Sequence, residues 1–163
     1  MTLTVERARE VLDYDPETGI ITNRVPRNPR APAGVEAGRL NSLGYIDIQI
    51  DRRSYRAHRL AWLIFHGVWP LDQIDHRNGI RNDNRITNLR EATSTVNNQN
   101  RREPKRNNIN GLLGVGWSKQ KRKFVAQIVV NRKRQHLGFY ASKYDAHAAY
   151  LQAKRQLHAG CVL

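Results

Sequence analysis

The chain has 163 residues, of which 39% are hydrophobic, with a single cysteine (Cys161) and a net charge of +14. One cysteine excludes an intrachain disulfide and a multi-cysteine zinc site, and no apolar run approaches the roughly 20 residues that cross a bilayer. The first residues lack the pattern of a signal peptide, so we expect a cytoplasmic monomer with no membrane or protein partner.

The positive charge is concentrated in the last third of the chain. Residues 1–100 hold 14 arginines and 12 acidic residues, a net charge of +2. Residues 101–163 hold 14 basic residues and only two acidic ones, Glu103 and Asp145, a net charge of +12. Such a segment suits a polyanion, because basic side chains release counterions from phosphates. With no large amphipathic helix or lipidation signal to favour a membrane surface, a nucleic acid is the expected partner.

Hydrophobic spacing and turn residues predict the elements of the first part of the chain. In chain order they are a helix over 3–13, a turn over 13–19, a strand over 19–23, an exposed loop over 24–39, a strand over 44–51, a hairpin turn at 51–54 leading into a second strand through Tyr55 and Ala57, and a helix that stops at Gly67.

The second part changes in composition. Residues 69–100 are crowded with Asn, Asp, Arg and His, and 101–109 form a polar, basic linker. Three short strands follow, over 114–118, 123–130 and 135–139, and then a helix that begins after Ser142 and ends at Gly160. We therefore predict an α+β protein whose last domain, about 110–160, is a three-stranded antiparallel sheet packed on one helix.

An ordered set of polar residues occupies the central segment. Asp75-His76 follows an apolar residue, Asn88-Leu89 begins a return strand, and Asn97 lies one turn into a helix capped by Thr93 or Ser94. Together with the upstream run Ala57-His-Arg-Leu-Ala-Trp62, this set resembles the HNH endonucleases, and among them the phage homing endonucleases. The resemblance implies a ββα-metal fold, a nuclease domain over about 1–100 with its core at 69–100, and DNA cleavage in a bacterial or phage-infected cell.

The resemblance assigns a role to each residue of the set. His76 would be the general base, and the Asn88 side-chain carbonyl would fix its tautomer. Asp75 and Asn97 would hold a divalent ion, Mg²⁺ first and Mn²⁺ as the alternative. Adjacent residues of a regular strand point to opposite faces. The ligand and the base would therefore share one site only if the strand is distorted or the helix wraps around its end.

Other polar residues of this segment are weaker candidates for the metal site. Asn78, Asn82, Asp83 and Asn84 have the composition of a loop, and Asn82, Asn84 or Asn100 could serve as alternative ligands. His58 is interpreted as a structural or phosphate-contacting residue at a strand-to-helix junction.

The last domain carries a second resemblance. Gly114-Val115, Phe124-Val-Ala-Gln-Ile128, Leu137-Gly-Phe139 and Ala149-Tyr150 follow the order seen in the DNA-binding domain of plant ethylene-response factors. That likeness covers 111–158 and implies a sheet that enters the major groove of double-stranded DNA. Gly116 stands where the plant domains have Arg, so their sequence preference is not transferred.

Two sets of residues follow from this likeness. The predicted DNA contacts are Arg101, Arg102, Lys105, Arg106, Trp117, Lys119, Arg122, Lys123, Gln127, Arg132 and Arg134. The predicted core consists of Phe124, Ile128, Leu137, Phe139, Ala149 and Tyr150, while Trp117 is equally compatible with the core.

Two rival functions remain compatible with the sequence. One is a non-catalytic, sequence-specific DNA-binding regulator whose nuclease half has decayed, and the other is a nuclease directed at RNA.

Overall fold

A computed structural model describes residues 3–104, 108–158 and 160–161. This part of the chain contains four α-helices and several small antiparallel sheets, as the α+β prediction requires. It forms two compact units that divide between Ser94 and Thr95. Within the described ranges, none of the helices is long and apolar enough to span a membrane.

The first unit is built from short elements joined in local hairpins. They are α1 (Val5–Val11), β1 (Leu12–Tyr14), β2 (Ile21–Asn23), β3 (Arg39–Leu40), β4 (Ile46–Ile50), β5 (Arg53–Arg56), α2 (Ala57–His66), β6 (Gln73–His76), a 3-10 turn (Ile86–Asn88) and β7 (Leu89–Ala92). The strands pair antiparallel as β1-β2, β3-β4-β5 and β6-β7.

The ends of the two helices follow from local chemistry. Thr4 caps α1, since its side chain accepts a hydrogen bond from Arg7 N at 3.2 Å. Gly67 ends α2 in the left-handed conformation, at φ 78°, which glycine adopts without steric cost. The predicted helix over 3–13 is shorter in the structure, because β1 begins at Leu12.

One apolar core holds the first unit together. Leu60 and Ala61 of α2 are fully buried, and they share a core cluster with Ile48 of β4. Ile74 of β6 and Leu89 of β7 belong to the same cluster. The β6-β7 hairpin is therefore anchored on the packed core, and the polar residues that it carries are held on a rigid support.

The pairing of β6 with β7 is regular to the end of β6. Asp75 lies opposite Arg90, and His76 lies opposite Leu89, with no shift of register. Asp75 and His76 therefore project from opposite faces of the hairpin. The strand is regular, so a distortion of β6 does not bring the Asp75 and His76 side chains to one site.

The short helix α3 (Ser94–Gln99) crosses the boundary between the units. From the second unit, Gly160 N donates to Gln99 Oε1 at 3.2 Å, and a Cβ on Gly160 would lie 2.3 Å from Val96 O. The Lys154 ammonium donates to Arg101 O. The segment expected as a linker, 101–109, thus falls inside the second unit, and residues 105–107 lie outside the described ranges.

The second unit contains the three strands and the helix that the sequence predicts. They are β8 (Val115–Ser118), β9 (Lys123–Val130), β10 (Lys133–Tyr140) and α4 (Lys143–Leu157), with the antiparallel order β10-β9-β8. The Ser142 side chain caps α4 by accepting from Tyr144 N at 3.1 Å.

The helix packs on one face of this sheet through small residues. Ala126 and Ala146 are both fully buried in one cluster, and Ile128 packs with Tyr150 and Ala153 in the next. Gly114 allows the Tyr150 ring to approach, because a Cβ at that position would lie 2.0 Å from a ring atom. The inner face is therefore a thin core, and the outer face is available for other contacts.

Phe139 is predicted in the core, and the structure places it elsewhere. A register shift between His136 and Gly138 changes which side chains of β10 face the helix. Leu137 packs in the core, whereas Phe139 is 42% exposed and its ring lies 4.5 Å from the ring of His136. The outer face therefore carries an aromatic pair that a uniform alternation does not predict.

Candidate active site

The histidine at the end of β6 lies in a buried polar cluster. His76 Nε2 is 3.3 Å from Asn84 Oδ1, and Asn84 is only 2% exposed. The His58 ring packs edge-on against His76 with centroids 5.0 Å apart, and the Tyr45 ring lies 5.3 Å from His58. Since α2 and β6 are both fixed by the core, the two imidazoles have little freedom to separate.

Burial sets the protonation of both imidazoles. The pKa of His76 is lowered mainly by burial, and its hydrogen bond to the Asn84 side-chain oxygen and the charge of Asp75 oppose this effect. The pKa of His58 is lowered to about 3 by burial and by the neighbouring His76. Both rings are thus neutral at pH 7, and a neutral imidazole is the form that accepts a proton.

The carboxylate beside His76 is paired across the hairpin. Asp75 Oδ2 accepts from Arg90 Nε at 2.9 Å and from Arg90 Nη2 at 2.7 Å. The two side chains are only 7% and 16% exposed. Arg90 therefore holds the Asp75 carboxylate on the face of the hairpin opposite to that of His76.

Asn88 has a different role from the one expected. Its Oδ1 accepts from Asn78 N at 2.9 Å, and its Nδ2 donates to Asp83 O at 2.7 Å. These bonds tie the two ends of the 77–88 loop together, and the contact with the His76 ring comes from Asn84. Asn88 thus supports the loop that carries Asn84 rather than touching the imidazole.

The remaining candidate ligands are asparagines of the 77–88 loop and of α3. Asn97 lies on α3, beyond the boundary between the units, and Asn82 is exposed on the loop. Asn84 is occupied at His76. Among the described residues, no group of three or more His, Cys, Asp or Glu side chains could hold a metal ion.

The donor set nevertheless fits one kind of ion. Mg²⁺ prefers oxygen ligands, keeps several water molecules, and is commonly held by one or two carboxylates together with a substrate phosphate. The buried Asp75 carboxylate meets the protein's share of that requirement, and it can do so only in competition with Arg90. The protein side of this site therefore offers one carboxylate, which fits an ion that takes most of its ligands from elsewhere.

Two guanidinium groups flank this cluster. Arg56 and Arg81 each lie 5.3 Å from the centroid of the Tyr45 ring. Arg81 also lowers the pKa of His76 through its charge, although burial has the larger effect. Positive charge beside a neutral base suits an approaching phosphate.

The second unit presents the predicted DNA contacts in two groups. Lys123 and Gln127 lie on the outer face of the sheet, because they alternate along β9 with the inward-facing Phe124, Ala126 and Ile128. Arg134 lies on the same face, because it pairs with the outward-facing Val129. Five more are exposed in loops and turns: Arg101, Arg102, Lys119, Arg122 and Arg132. Lys105 and Arg106 fall outside the described residues.

Trp117 does not belong to the outer face. It pairs with Phe124 across the sheet, and the two rings lie 4.8 Å apart. Directly opposed residues project from the same face, so Trp117 covers the helix side of the sheet. It remains 50% exposed at the margin of the core.

Sequence reasoning misses four contributors to the site. The composition around Asn84 indicates only a loop, and nothing in the sequence singles out Tyr14 or Gly19. Arg90 carries a usable signal, because pairing Asp75 with it is expected once β6 and β7 are aligned as a hairpin. Tyr14 gives none, since it is 70 residues from Asn84 along the chain.

Residues 55–99 match a family model described as HNH endonuclease. The match covers the end of β5, then α2, the β6–β7 hairpin and α3, so it starts earlier than the predicted core at 69. It supports the HNH nuclease family for this segment and does not extend to residues 100–163. No curated protein and no solved structure matches the chain.

Proposed function

We propose that this protein is a metal-dependent endonuclease that hydrolyses phosphodiester bonds in double-stranded DNA, with His76 as the general base. The observation that carries this proposal is the buried, neutral imidazole of His76, held at Nε2 by Asn84 inside the segment that matches HNH endonucleases.

The proton chemistry follows from the contact with Asn84. An amide oxygen at Nε2 only accepts, so the ring proton is on Nε2 and the basic lone pair is on Nδ1. Nδ1 takes a proton from the attacking water, and the imidazolium passes it on to solvent after the phosphodiester bond has broken.

A divalent ion, Mg²⁺ or in its place Mn²⁺, would be held by Asp75 and Asn97. When bound, such an ion stabilises negative charge on the scissile phosphate and on the leaving oxygen. Asp75 contributes the carboxylate ligand, and the ion would compete with Arg90 for the oxygen that Arg90 holds in this structure. Asn97 contributes a neutral oxygen from α3.

The opposite projection of Asp75 and His76 is compatible with this reaction. In-line displacement places the attacking water and the leaving oxygen on opposite sides of the phosphorus. Asp75 and His76 lie on opposite faces at the end of β6, so a phosphate that both reach would lie beyond the end of the strand, with His76 on the side of the water and Asp75 on the side of the leaving oxygen. A distorted strand is therefore not required for the proposed roles.

The second unit would bind and position the DNA. The charge of +12 beyond residue 100 provides affinity for the phosphates, and the outer face of the sheet offers Lys123, Gln127 and Arg134 to base edges and backbone. Antiparallel strand ribbons are among the elements that enter a major groove. It is proposed as the part of the molecule that selects where cleavage occurs.

Cleavage of supercoiled plasmid tests the proposal. We expect nicked or linear products with Mg²⁺ or Mn²⁺, no products with excess EDTA, and a loss of activity in Asp75→Ala. Asp72→Ala is the matched control, because Asp72 is exposed three residues earlier and takes part through its backbone N–H. Cleavage that persists in EDTA would contradict the metal assignment. A protein that binds DNA but never cuts it would favour the regulator, and cleavage confined to RNA would favour the RNA-directed nuclease.

A further inference from the structure

We propose that Asn84 is the residue that fixes the tautomer of His76, and that the N-terminal β1-β2 hairpin holds Asn84 in place as a part of the active site. The inference rests on the proposed function only where it refers to catalysis. Its structural half, the position of the ring proton, is independent of any nuclease activity.

The geometry at the imidazole favours one tautomer. Asn84 Oδ1 lies 3.3 Å from His76 Nε2, and both residues are buried, with 2% and 4% exposure. A buried amide oxygen gains most from a donor, so the pair stabilises the ring form that carries its proton on Nε2. Water has little access to replace Asn84 in this contact.

The β1-β2 hairpin forms hydrogen bonds with the backbone at and next to Asn84. The Tyr14 hydroxyl donates to Asn84 O at 2.7 Å, and Ile86 N donates to Pro16 O at 3.0 Å. Tyr14 is the last residue of β1, and Pro16 lies in the turn that follows it. Two hydrogen bonds thus connect the β1-β2 hairpin to the residues on either side of Arg85.

The turn of this hairpin also lies directly against the loop. A Cβ on Gly19 would sit 2.4 Å from Arg85 N and 2.6 Å from Asn84 C, distances that side chains do not tolerate. Gly19 has φ +78°, which a glycine adopts without strain. Only a residue without a side chain allows the hairpin to support the loop at this distance.

Asn88 cannot provide the same contact. Both ends of its carboxamide are used, by Asn78 N and by Asp83 O, within the loop itself. Its effect on His76 is therefore indirect, through the shape of the loop. The residues that support Asn84 lie at 12–23, well before the segment 55–99 that matches the HNH family, so the site extends beyond that segment.

The ring proton can be observed directly in the full chain labelled with ¹⁵N-histidine. At pH 8, without metal or DNA, the nitrogen shifts and couplings of His76 should show a proton on Nε2, with the signal assigned by its disappearance in His76→Ala. Asn84→Ala should give a mixture of the two tautomers, and Asn84→Asp should keep the proton on Nε2 because a carboxylate also accepts. Tyr14→Phe should shift the population in the direction of Asn84→Ala, by a smaller amount.

Cleavage rates measured on the same variants connect the tautomer to function. We expect Asn84→Ala to lower the rate of bound substrate by about 10- to 100-fold, as when a catalytic histidine is deprived of its orienting partner. Asn84→Asp should recover most of that rate, and DNA affinity should change in neither. Thr87→Ala is the control, a change at an exposed residue of the same loop that should alter neither the tautomer nor the rate.

Two results would overturn the inference: a proton on Nδ1 in the unmodified protein, or an unchanged tautomer in a folded Asn84→Ala variant. If Asn84→Ala does not fold, Tyr14→Phe and Asn84→Asp still decide the matter, because an unaltered Tyr14→Phe spectrum or the absence of the Nε2 proton in Asn84→Asp contradicts it. A shifted tautomer with undiminished cleavage would contradict the role of His76 as the base and leave the contact with Asn84 standing.

Discussion

The burial of His58 makes the folded protein less stable at low pH. Its pKa is about 3 in the folded protein because of burial and of His76, whereas an unfolded histidine titrates near 6.5. Between these two pKa values, His58 binds a proton in the unfolded chain and not in the folded chain. The stability from a neutral His58 is therefore complete above pH 6.5 and declines as the pH falls toward 3.

This difference predicts an acid-sensitive first unit. The free energy of unfolding should fall by about 1.4 kcal/mol for each pH unit below 6, and His58→Gln should reduce that slope. The measurement is urea unfolding at several pH values, followed by NMR signals of β4. His66→Gln is the control, since His66 is exposed on the last turn of α2. Equal slopes in all three proteins would contradict the buried, neutral His58.

Arg90 determines how easily Asp75 accepts a cation. Its guanidinium lies 2.7 Å from Asp75 Oδ2, so it opposes a metal ion by repulsion and by occupying the oxygen. We expect Arg90→Gln to lower the Mg²⁺ concentration needed for half-maximal cleavage, and Arg77→Gln, an exposed arginine after β6, to leave it unchanged. A higher Mg²⁺ requirement in Arg90→Gln would show instead that Arg90 helps to assemble the site.

At the scale of elements, the sequence predicts those helices and strands whose signals lie within a few residues of one another. The strands and the helix of the second unit are predictable to within about three residues at their ends, because alternation, turn residues and the Ser142 cap act within a few positions. The prediction for Phe139 is wrong, since one bulge after His136 reverses the alternation on which it depends.

In the candidate site, too, some residues are predictable from a local motif and others depend on tertiary contacts. An ordered motif identifies Asp75 and His76, and the structure puts both on one hairpin. The contacts of Tyr14 and Gly19 with the loop at 84–85 depend on the tertiary fold, which periodicity does not reveal. Asn84 and Asn88 have the same side chain on the same loop, and only the folded shape of that loop decides which of them reaches His76.

The register of β10 gives a sharp test of the outer face. Arg134 pairs with Val129 on the outer side, whereas its neighbour Lys133 pairs with Val130 on the helix side. Arg134→Gln should weaken binding and flatten the dependence of log affinity on log salt by about 0.9 for each phosphate that is no longer neutralised. Lys133→Gln removes an equal charge one residue away and should have the smaller effect. The reverse order in a salt titration would place the DNA on the other side of the sheet.

At the scale of the whole molecule, charge separates the work of the two units. The net charge is +2 up to residue 100 and +12 beyond it, so most phosphate contacts are expected from the second unit. The proposed division assigns affinity and position to that unit and bond cleavage to the first.

Two triple variants of equal charge compare the units. Replacing Lys119, Arg122 and Arg132 of the second unit by Gln should lower the salt slope by about 2 to 3, since each neutralised phosphate contributes about 0.9 to it. Replacing Arg30, Arg39 and Arg52, which are exposed in the first unit, should lower it by less than about 1 on the same scale. Equal reductions would mean that the charge asymmetry does not reflect how DNA is bound.

The central claim, that His76 performs chemistry and does not merely help to bind DNA, is tested by measuring cleavage and affinity together. In His76→Ala, with saturating protein and Mg²⁺ on one labelled duplex, the single-turnover rate should fall by roughly 10²- to 10⁴-fold, the contribution of a general base. The Kd measured in the same buffer with Ca²⁺ should stay within about twofold, because His76 is buried and offers little surface to DNA. A rate within a few-fold of the unmodified protein, or a fall in rate matched by an equal fall in affinity, would contradict the account.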